Sequence, residues 1–258
     1  MLSTGRGALD SAKGAWPAWY NGQNKPKGGH LVIYLQTVGG TLVILLAFAI
    51  ILSWINARTI QHIVNVTGKS NAQLWQMLPG LWVHETAHAL VGRLFGLQIQ
   101  EFSVHQSADR RAAGHVTFSF NKHSLWQRLG LFFAGGAPVW TFGAVVLVIG
   151  KRAFWPGQPL ALVGLGTMMP AWPWVGAWLL LTLLLSFGAS LSSADLRTMM
   201  RGLPVFAVLL LAAAGLVRLV APAGLLTWVS LNVLAGWVAG LLVLVALGMN
   251  VLSHLAWR

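Results

Sequence analysis

Three features of this sequence predict an all-α polytopic membrane protein of about six transmembrane helices, with a small β-hairpin after a helix that bears two histidines. Of 258 residues, 56% are hydrophobic and only 9% are charged, with a mean hydropathy of +0.69. A soluble domain carries about 25% charged residues. The apolar residues fall in runs long enough to cross about 30 Å of hydrocarbon, separated by polar loops. Between two such runs the hydrophobic period shortens to two residues, which is the signature of strands.

Residues 1–30 are polar, Gly-rich and basic, with Arg6, Lys13, Lys25 and Lys27, and read as a flexible cytoplasmic tail. The run 31–55 is too long for the apolar core of a cleavable signal and is expected to remain as an additional N-terminal transmembrane helix. A polar loop with Arg58 and Lys69 follows. The next stretch, 73–96, breaks at Pro79-Gly80; proline suits a first helical turn, and Gly96 is a natural stop. Within 102–120, Phe102 and Val104 alternate with polar neighbours, as do Val116, Phe118 and Phe120. The two arms flank a polar turn, Ser107 to Gly114, and predict a β-hairpin. Its unpaired edges forbid exposure to lipid, so it belongs at the interface or inside the bundle.

The third span is expected at 129–150, with Gly135–Pro138 ("GGAP") as a kink or a point of close packing. Residues 151–172 read as a loop with Pro156 and Pro159 and an apolar, half-inserted piece. The fourth span is 173–190, followed by a polar island, Ser190–Gly202. The fifth span is 203–220 and a C-terminal one lies within 225–258. No internal repeat is evident. Most of the fourteen tryptophans, among them Trp54, Trp126, Trp155, Trp172 and Trp257, fall near span ends, as in interfacial belts. Asn232 and Asn250 in the last span suit interhelical hydrogen bonds, and Arg218 suits a snorkelling position.

The net charge of +12 comes from lysines and arginines spread among loops, a pattern that sets membrane orientation and speaks against nucleic acid as a partner. The tail carries four basic residues, the hairpin region four (Arg110, Arg111, Lys122, Arg128) and the island two (Arg197, Arg201), whereas the opposite loops carry the pairs Arg58/Lys69 and Lys151/Arg152. Charge counting therefore expects tail, hairpin and island on the cytoplasmic face. There is no cysteine, so disulfides and thiolate metal sites are excluded.

The chemistry lies in "HETAH", His84 to His88. On a helix, residues four apart share a face, so both imidazoles can reach one ion. Glu85 sits beside that face. This is the H-E-x-x-H arrangement of two zinc ligands and a general base. Zinc lowers the pKa of a bound water to about 7, and the glutamate takes its proton as water attacks a carbonyl. A carboxylate at bilayer depth costs about 2.5–3.5 kcal/mol even on lenient scales, so its presence there points to function.

A catalytic zinc requires a third protein ligand. No glutamate follows Glu101, which excludes a distant downstream glutamate, and no H-x-x-G-x-x-H continues the motif. Asp195, at the end of the fourth span, is the favoured third ligand; His105, His115, His123 and Glu101 are its rivals. Asp195 also fits a capping box, Ser192–Asp195, and the two roles are compatible.

A histidine-glutamate motif in a membrane helix, a hairpin, a return helix and a later aspartate together resemble the site-2 protease class of intramembrane zinc metalloproteases, peptidase family M50. The likeness covers 73–220, the expected metalloprotease core, and rests on "HETAH" and on "SADLR" (Ser193–Arg197). Ala-Asp-Leu stands where that family usually has Leu-Asp-Gly, as in a divergent branch. The resemblance implies one Zn2+ held by His84, His88 and Asp195, with Glu85 as general base and then proton donor to the leaving amine. It implies a membrane-protein substrate, unwound before attack. A short cytoplasmic tail and no organelle signal suit a bacterial plasma membrane. The hairpin offers an edge on which such a substrate could pair, with Val116, Thr117 and Phe118 as the residues that would line it. Two other readings remain open. One is an inactive scaffold of the same fold. The other is a metal transporter, which would need more polar residues along the other spans.

Overall fold

The computed structural model describes residues 29–68, 78–104, 114–186 and 190–256. Among these it contains seven α-helices and one two-stranded sheet. In chain order they are α1 (Gly29–Thr67), α2 (Leu78–Leu94), β1 (Gln98–Ser103), β2 (His115–Ser119), α3 (Leu125–Gly135), α4 (Ala137–Phe154), α5 (Trp172–Ser186), α6 (Ser193–Val220) and α7 (Ala223–Ala256). Two short 3-10 turns, Leu160–Leu162 and Leu165–Thr167, occupy the mixed stretch between α4 and α5.

The fold is thus helical and membrane-like. Four helices are long and apolar enough to cross a bilayer: Val32–Thr67 of α1, α4, α6 and α7. The apolar part of α5, Trp172–Leu183, is shorter. The motif helix α2 has 17 residues and α3 has 11. At 1.5 Å per residue neither spans about 30 Å unaided.

The largest departure from expectation is at Gly135-Gly136. The predicted third span is two helices there. Gly136 closes α3 by donating its N–H to the Phe132 carbonyl at 3.1 Å, and Pro138 sits in the first turn of α4, where its missing N–H costs nothing. Helix α3 runs back antiparallel to α2: His88 lies against Ala134, and Phe95 lies against Gly130. The segment α2–hairpin–α3 therefore enters and returns by the same end of the bundle. The polar island and the fifth span, by contrast, form one continuous helix, α6, because Ser192 caps it at the island rather than after it.

These changes reverse one expectation about sidedness. Tyr34 at the start of α1 donates to the Leu211 carbonyl (2.7 Å), and Ser53 accepts from the Leu191 N–H (2.8 Å). Helices α1 and α6 are therefore antiparallel. The start of α1 and the polar island stand at opposite ends of the bundle and cannot share a face. Charge counting went astray because it treated α3 and α4 as one crossing that followed a full crossing by α2. The residues of the tail themselves lie outside the described ones.

Helices α1 and α7 run side by side in the same direction. Thr41 donates to Asn232 (3.0 Å), Asn232 to the Thr37 carbonyl (3.0 Å), and Trp228 to Thr41 (3.0 Å). Further along, Asn250 donates to Thr59 (2.9 Å). Asn232 and Asn250 are thus the interhelical partners that the sequence suggests. Arg218 is exposed near the end of α6. One apolar core joins α1, α4, α5 and α7 around Trp155 and Trp178; a second joins α1, α3, α6 and α7 around Phe132, Met199 and Phe206.

The hairpin exists, shifted to begin earlier than 102: β1 and β2 pair antiparallel from Gln98↔Ser119 to Ser103↔His115, with a bulge between Ile99 and Glu101. Phe118 and Phe120 turn onto Leu97, Leu131 and Ala134, so the sheet is seated on α2 and α3. Most of its polar turn falls outside the described residues.

Candidate metal centre

His84 and His88 lie one turn apart on α2, and their rings meet edge to face with centroids 4.6 Å apart. The helix holds this turn without strain: Pro79 falls in its first turn, and Gly96, at φ +71°, supplies the left-handed residue that ends it. The His88 ring is anchored from behind. Its Nδ1 lies 2.6 Å from the Ala134 carbonyl at the end of α3. A carbonyl can only accept, so Nδ1 carries a proton, and in the neutral ring Nε2 then presents a lone pair. A backbone carbonyl as the partner of a metal-ligating imidazole is a recurrent arrangement, since it sets both tautomer and ring plane.

Asp195 arrives from the first turn of α6, not from the end of the fourth span. Ser192 is the N-cap, and the capping box is complete: the Asp195 N–H donates to Ser192 Oγ (3.2 Å), and the Ser192 N–H donates to Asp195 Oδ2 (2.8 Å). The same carboxylate faces the histidines, with Oδ1 3.3 Å from His88 Nε2 and Oδ2 3.6 Å from His84 Nε2. Capping and facing the imidazoles are therefore both met by one side chain.

The two Nε2 atoms are 3.0 Å apart. The spacings of 3.0, 3.3 and 3.6 Å involve four atoms, since each imidazole faces a different oxygen of Asp195. A tetrahedral ion at about 2.0–2.1 Å from its ligands holds them about 3.3 Å from one another. His84, His88 and Asp195 form a group that could hold a metal ion, with all ligand atoms within 4.8 Å of each other. The donor set fits such an ion.

Glu85 is buried beside this group. Its carboxylate is pressed against the entry to β2: a Cβ added to Gly114 would come within 2.7 Å of Glu85 Oε1. Glycine at 114 is what lets the hairpin backbone pass so near the acid. The site depends on close backbone approach elsewhere too. A Cβ on Gly135 would run into the backbone of Met199 and come within 2.8 Å of the Asp195 carbonyl oxygen. A Cβ on Gly202 would collide with the backbone of Phe132. These two glycines let α3 lie against the first turns of α6, and so bring Ala134 and Asp195 to the same pair of imidazoles.

Of the rival ligands, Glu101 and His115 pair with each other across the hairpin at 2.9 Å. His123 is exposed in the turn before α3, and His105 lies outside the described residues. Val116 and Thr117 lie on β2 opposite Phe102 and Glu101. Phe118 is committed to packing on α2, its ring filling the space a side chain at 92 would take. Among the described residues no further strand pairs with β2. Sequence reasoning missed the Ala134 carbonyl and the role of Gly114. A backbone carbonyl leaves no mark in a side-chain pattern, and Gly114 read only as the end of a turn.

Comparison of the chain with protein-family models, with curated proteins and with solved structures finds no match.

Proposed function

We propose that this protein is an intramembrane zinc endopeptidase, as the resemblance to the site-2 protease class implies. One observation carries the reading: two imidazoles and one carboxylate each bring a ligand atom within 4.8 Å of the others, with a buried glutamate immediately beside them. With no cysteine in the chain, a nitrogen and oxygen donor set of this kind suits zinc. Zinc held there would act as a Lewis acid, bringing the pKa of water to about 7 and polarising a peptide carbonyl.

The protein's own residues supply the rest. The Ala134 carbonyl holds His88 with Nε2 inward, and Ser192 holds the Asp195 carboxylate toward both rings. Glu85 accepts the proton of the attacking water at its carboxylate, and gives it to the amide nitrogen as the C–N bond breaks. One water is consumed, and a carboxylate and an amine are released. Burial excludes bulk water from the acid. The substrate would be a membrane-embedded segment, unwound because a helix keeps its peptide groups paired. The outer edge of β2, which follows directly on Gly114 beside Glu85, could take the extended segment as an added strand.

The test is zinc content and cleavage of a transmembrane peptide by the purified full chain, wild type against Glu85→Gln. The expected result is unchanged zinc and a fall in rate of about 100- to 10,000-fold, the usual worth of a general base. Equal cleavage by both forms, or none by wild type loaded with zinc, would overturn the assignment. Zinc transport by the mutant in sealed vesicles would favour a transit site instead.

A further inference from the structure

A second polar site lies at the far end of the α1–α7 pair, where both helices leave their apolar spans. From Val32 to Ile55, α1 covers about 35 Å at 1.5 Å per residue, enough for a hydrocarbon core of about 30 Å. Arg58 follows in the next turn, then Gln61, His62 and Asn65. On α7, Leu247 is followed by Asn250 and His254. Between the two helices is a cavity of about 670 Å³ lined by Trp54, Arg58, Gln61, His62, Asn250 and His254, among others. Trp54 marks the interfacial level, and the Arg58 guanidinium sits over its ring, 4.6 Å from the centroid. The rings of His62 and His254 meet across the two helices, tilted 36° to each other with centroids 3.6 Å apart. The Asn250–Thr59 bond ties the helices together beside them.

Every wall residue that is polar can donate a hydrogen bond, and no carboxylate lines the cavity. The chain has five acids. Glu85 and Asp195 belong to the metal centre, Glu101 pairs with His115, and Asp10 and Asp109 fall outside the described residues. Arg58 therefore meets no carboxylate among the described residues. The partial negative charge of a helix end does not explain it either. That charge fades within the last turn, and Arg58 precedes Thr67, where α1 ends, by roughly two and a half turns. A cationic, donor-rich cavity between helices at headgroup depth is suited to phosphate. We infer that this cavity is a binding site for a phosphate group at the membrane surface, carried by a phospholipid headgroup or free in solution.

The experiment uses the full chain in detergent micelles, titrated separately with dioleoylphosphatidylglycerol, with dioleoylglycerol (the same acyl chains without phosphate) and with sodium phosphate. Bound lipid is read by native mass spectrometry and stability by Tm. Phosphatidylglycerol should stay bound and raise Tm, and dioleoylglycerol should do neither. Arg58→Gln should weaken phosphatidylglycerol binding about fivefold, the worth of one basic residue at an anionic surface. Arg58→Lys should recover part of the loss, and His254→Gln should weaken binding independently of any effect of Arg58→Gln on folding. A rise in Tm with sodium phosphate alone assigns the site to the free ion, whereas a rise only with phosphatidylglycerol assigns it to the lipid. Equal binding of the two lipids with no rise in Tm from sodium phosphate, or wild-type affinity in both Arg58→Gln and His254→Gln, would overturn the inference.

Discussion

Helices α1 and α7 and helices α2 and α6 both carry polar side chains within apolar sequence, and they satisfy them in opposite ways. Where α1 and α7 bond directly to each other, donors and acceptors are matched. Thr41, Asn232 and Trp228 form one closed set, and Thr59 and Asn250 form another. Such a set holds helices together and leaves nothing to offer a ligand. At the α2–α6 contact the count is lopsided. His88 Nε2, the Asp195 carboxylate and the Glu85 carboxylate are acceptors gathered within one small volume, and the structure spends Ala134, Ser192 and three close-packed glycines on keeping them there. A polar cluster in a membrane bundle is a candidate site when its donors and acceptors are unequal; when the two balance, it is a fastening.

Removing the charge at the acceptor-rich site should have the largest effect. Asp195→Asn keeps an oxygen for the Ser192 N–H, so α6 should remain capped. It removes the anionic ligand, and zinc affinity should fall by more than about 100-fold, beyond the ~10–100-fold that loss of a supporting hydrogen bond costs. Zinc titration against a competing chelator measures this. Unchanged affinity would mean that Asp195 is a cap and nothing else.

Next comes the close packing that assembles the site. Gly135→Ala places a methyl group against the backbone of Met199 and the Asp195 carbonyl, neither of which can rotate away. Overpacking of this kind costs about 1–3 kcal/mol. Both zinc affinity and unfolding stability in mixed micelles should fall. Gly202→Ala, against Phe132 one to two turns further along α6, should lose comparable stability with a smaller change in zinc affinity. If Gly135→Ala leaves both quantities intact, α3 is not held at α6 as tightly as drawn. Smaller again is Ser192→Ala, which removes the hydroxyl that accepts the Asp195 N–H. An N-cap is worth about 1 kcal/mol, and the carboxylate keeps its bond to the Ser192 N–H, so zinc affinity should drop only a few-fold.

The sequence made the contents of the site legible but not its surroundings. The i, i+4 spacing of His84 and His88 is a local property of any helix, and with five acids in the chain Asp195 stands out among few candidates, beside His105, His115, His123 and Glu101. The capping box was readable for the same reason, since Ser192 and Asp195 are neighbours along the chain. Where sequence reasoning fell short, the deciding contacts were between distant segments. "GGAP" could be recognised as a point of kinking or close approach. It could not be known that α3 would turn back along α2, because that depends on Phe95 meeting Gly130 and Ala134 meeting His88. That single reversal changes the number of crossings between the tail and the island, and with it every inference about which basic residues share a face. What the structure shows is that the start of α1 and the island stand at opposite ends of the bundle.

The balanced side of the comparison yields the smallest expected effect, and the most selective one. Asn232→Leu removes the amide that bridges α7 to Thr37 and Thr41. Little is left unsatisfied. The Thr41 hydroxyl still donates to the Thr37 carbonyl at 2.8 Å and still accepts from Trp228. Interhelical hydrogen bonds in membranes average about 0.6 kcal/mol, so stability should fall by roughly that amount, and zinc affinity should not change. Unfolding in mixed micelles and a zinc titration on the same sample measure the two quantities together. A loss of zinc binding as large as that in Gly135→Ala would mean that the α1–α7 pair and the metal centre form one cooperative unit, and that a donor-acceptor count cannot separate a fastening from a site in this protein.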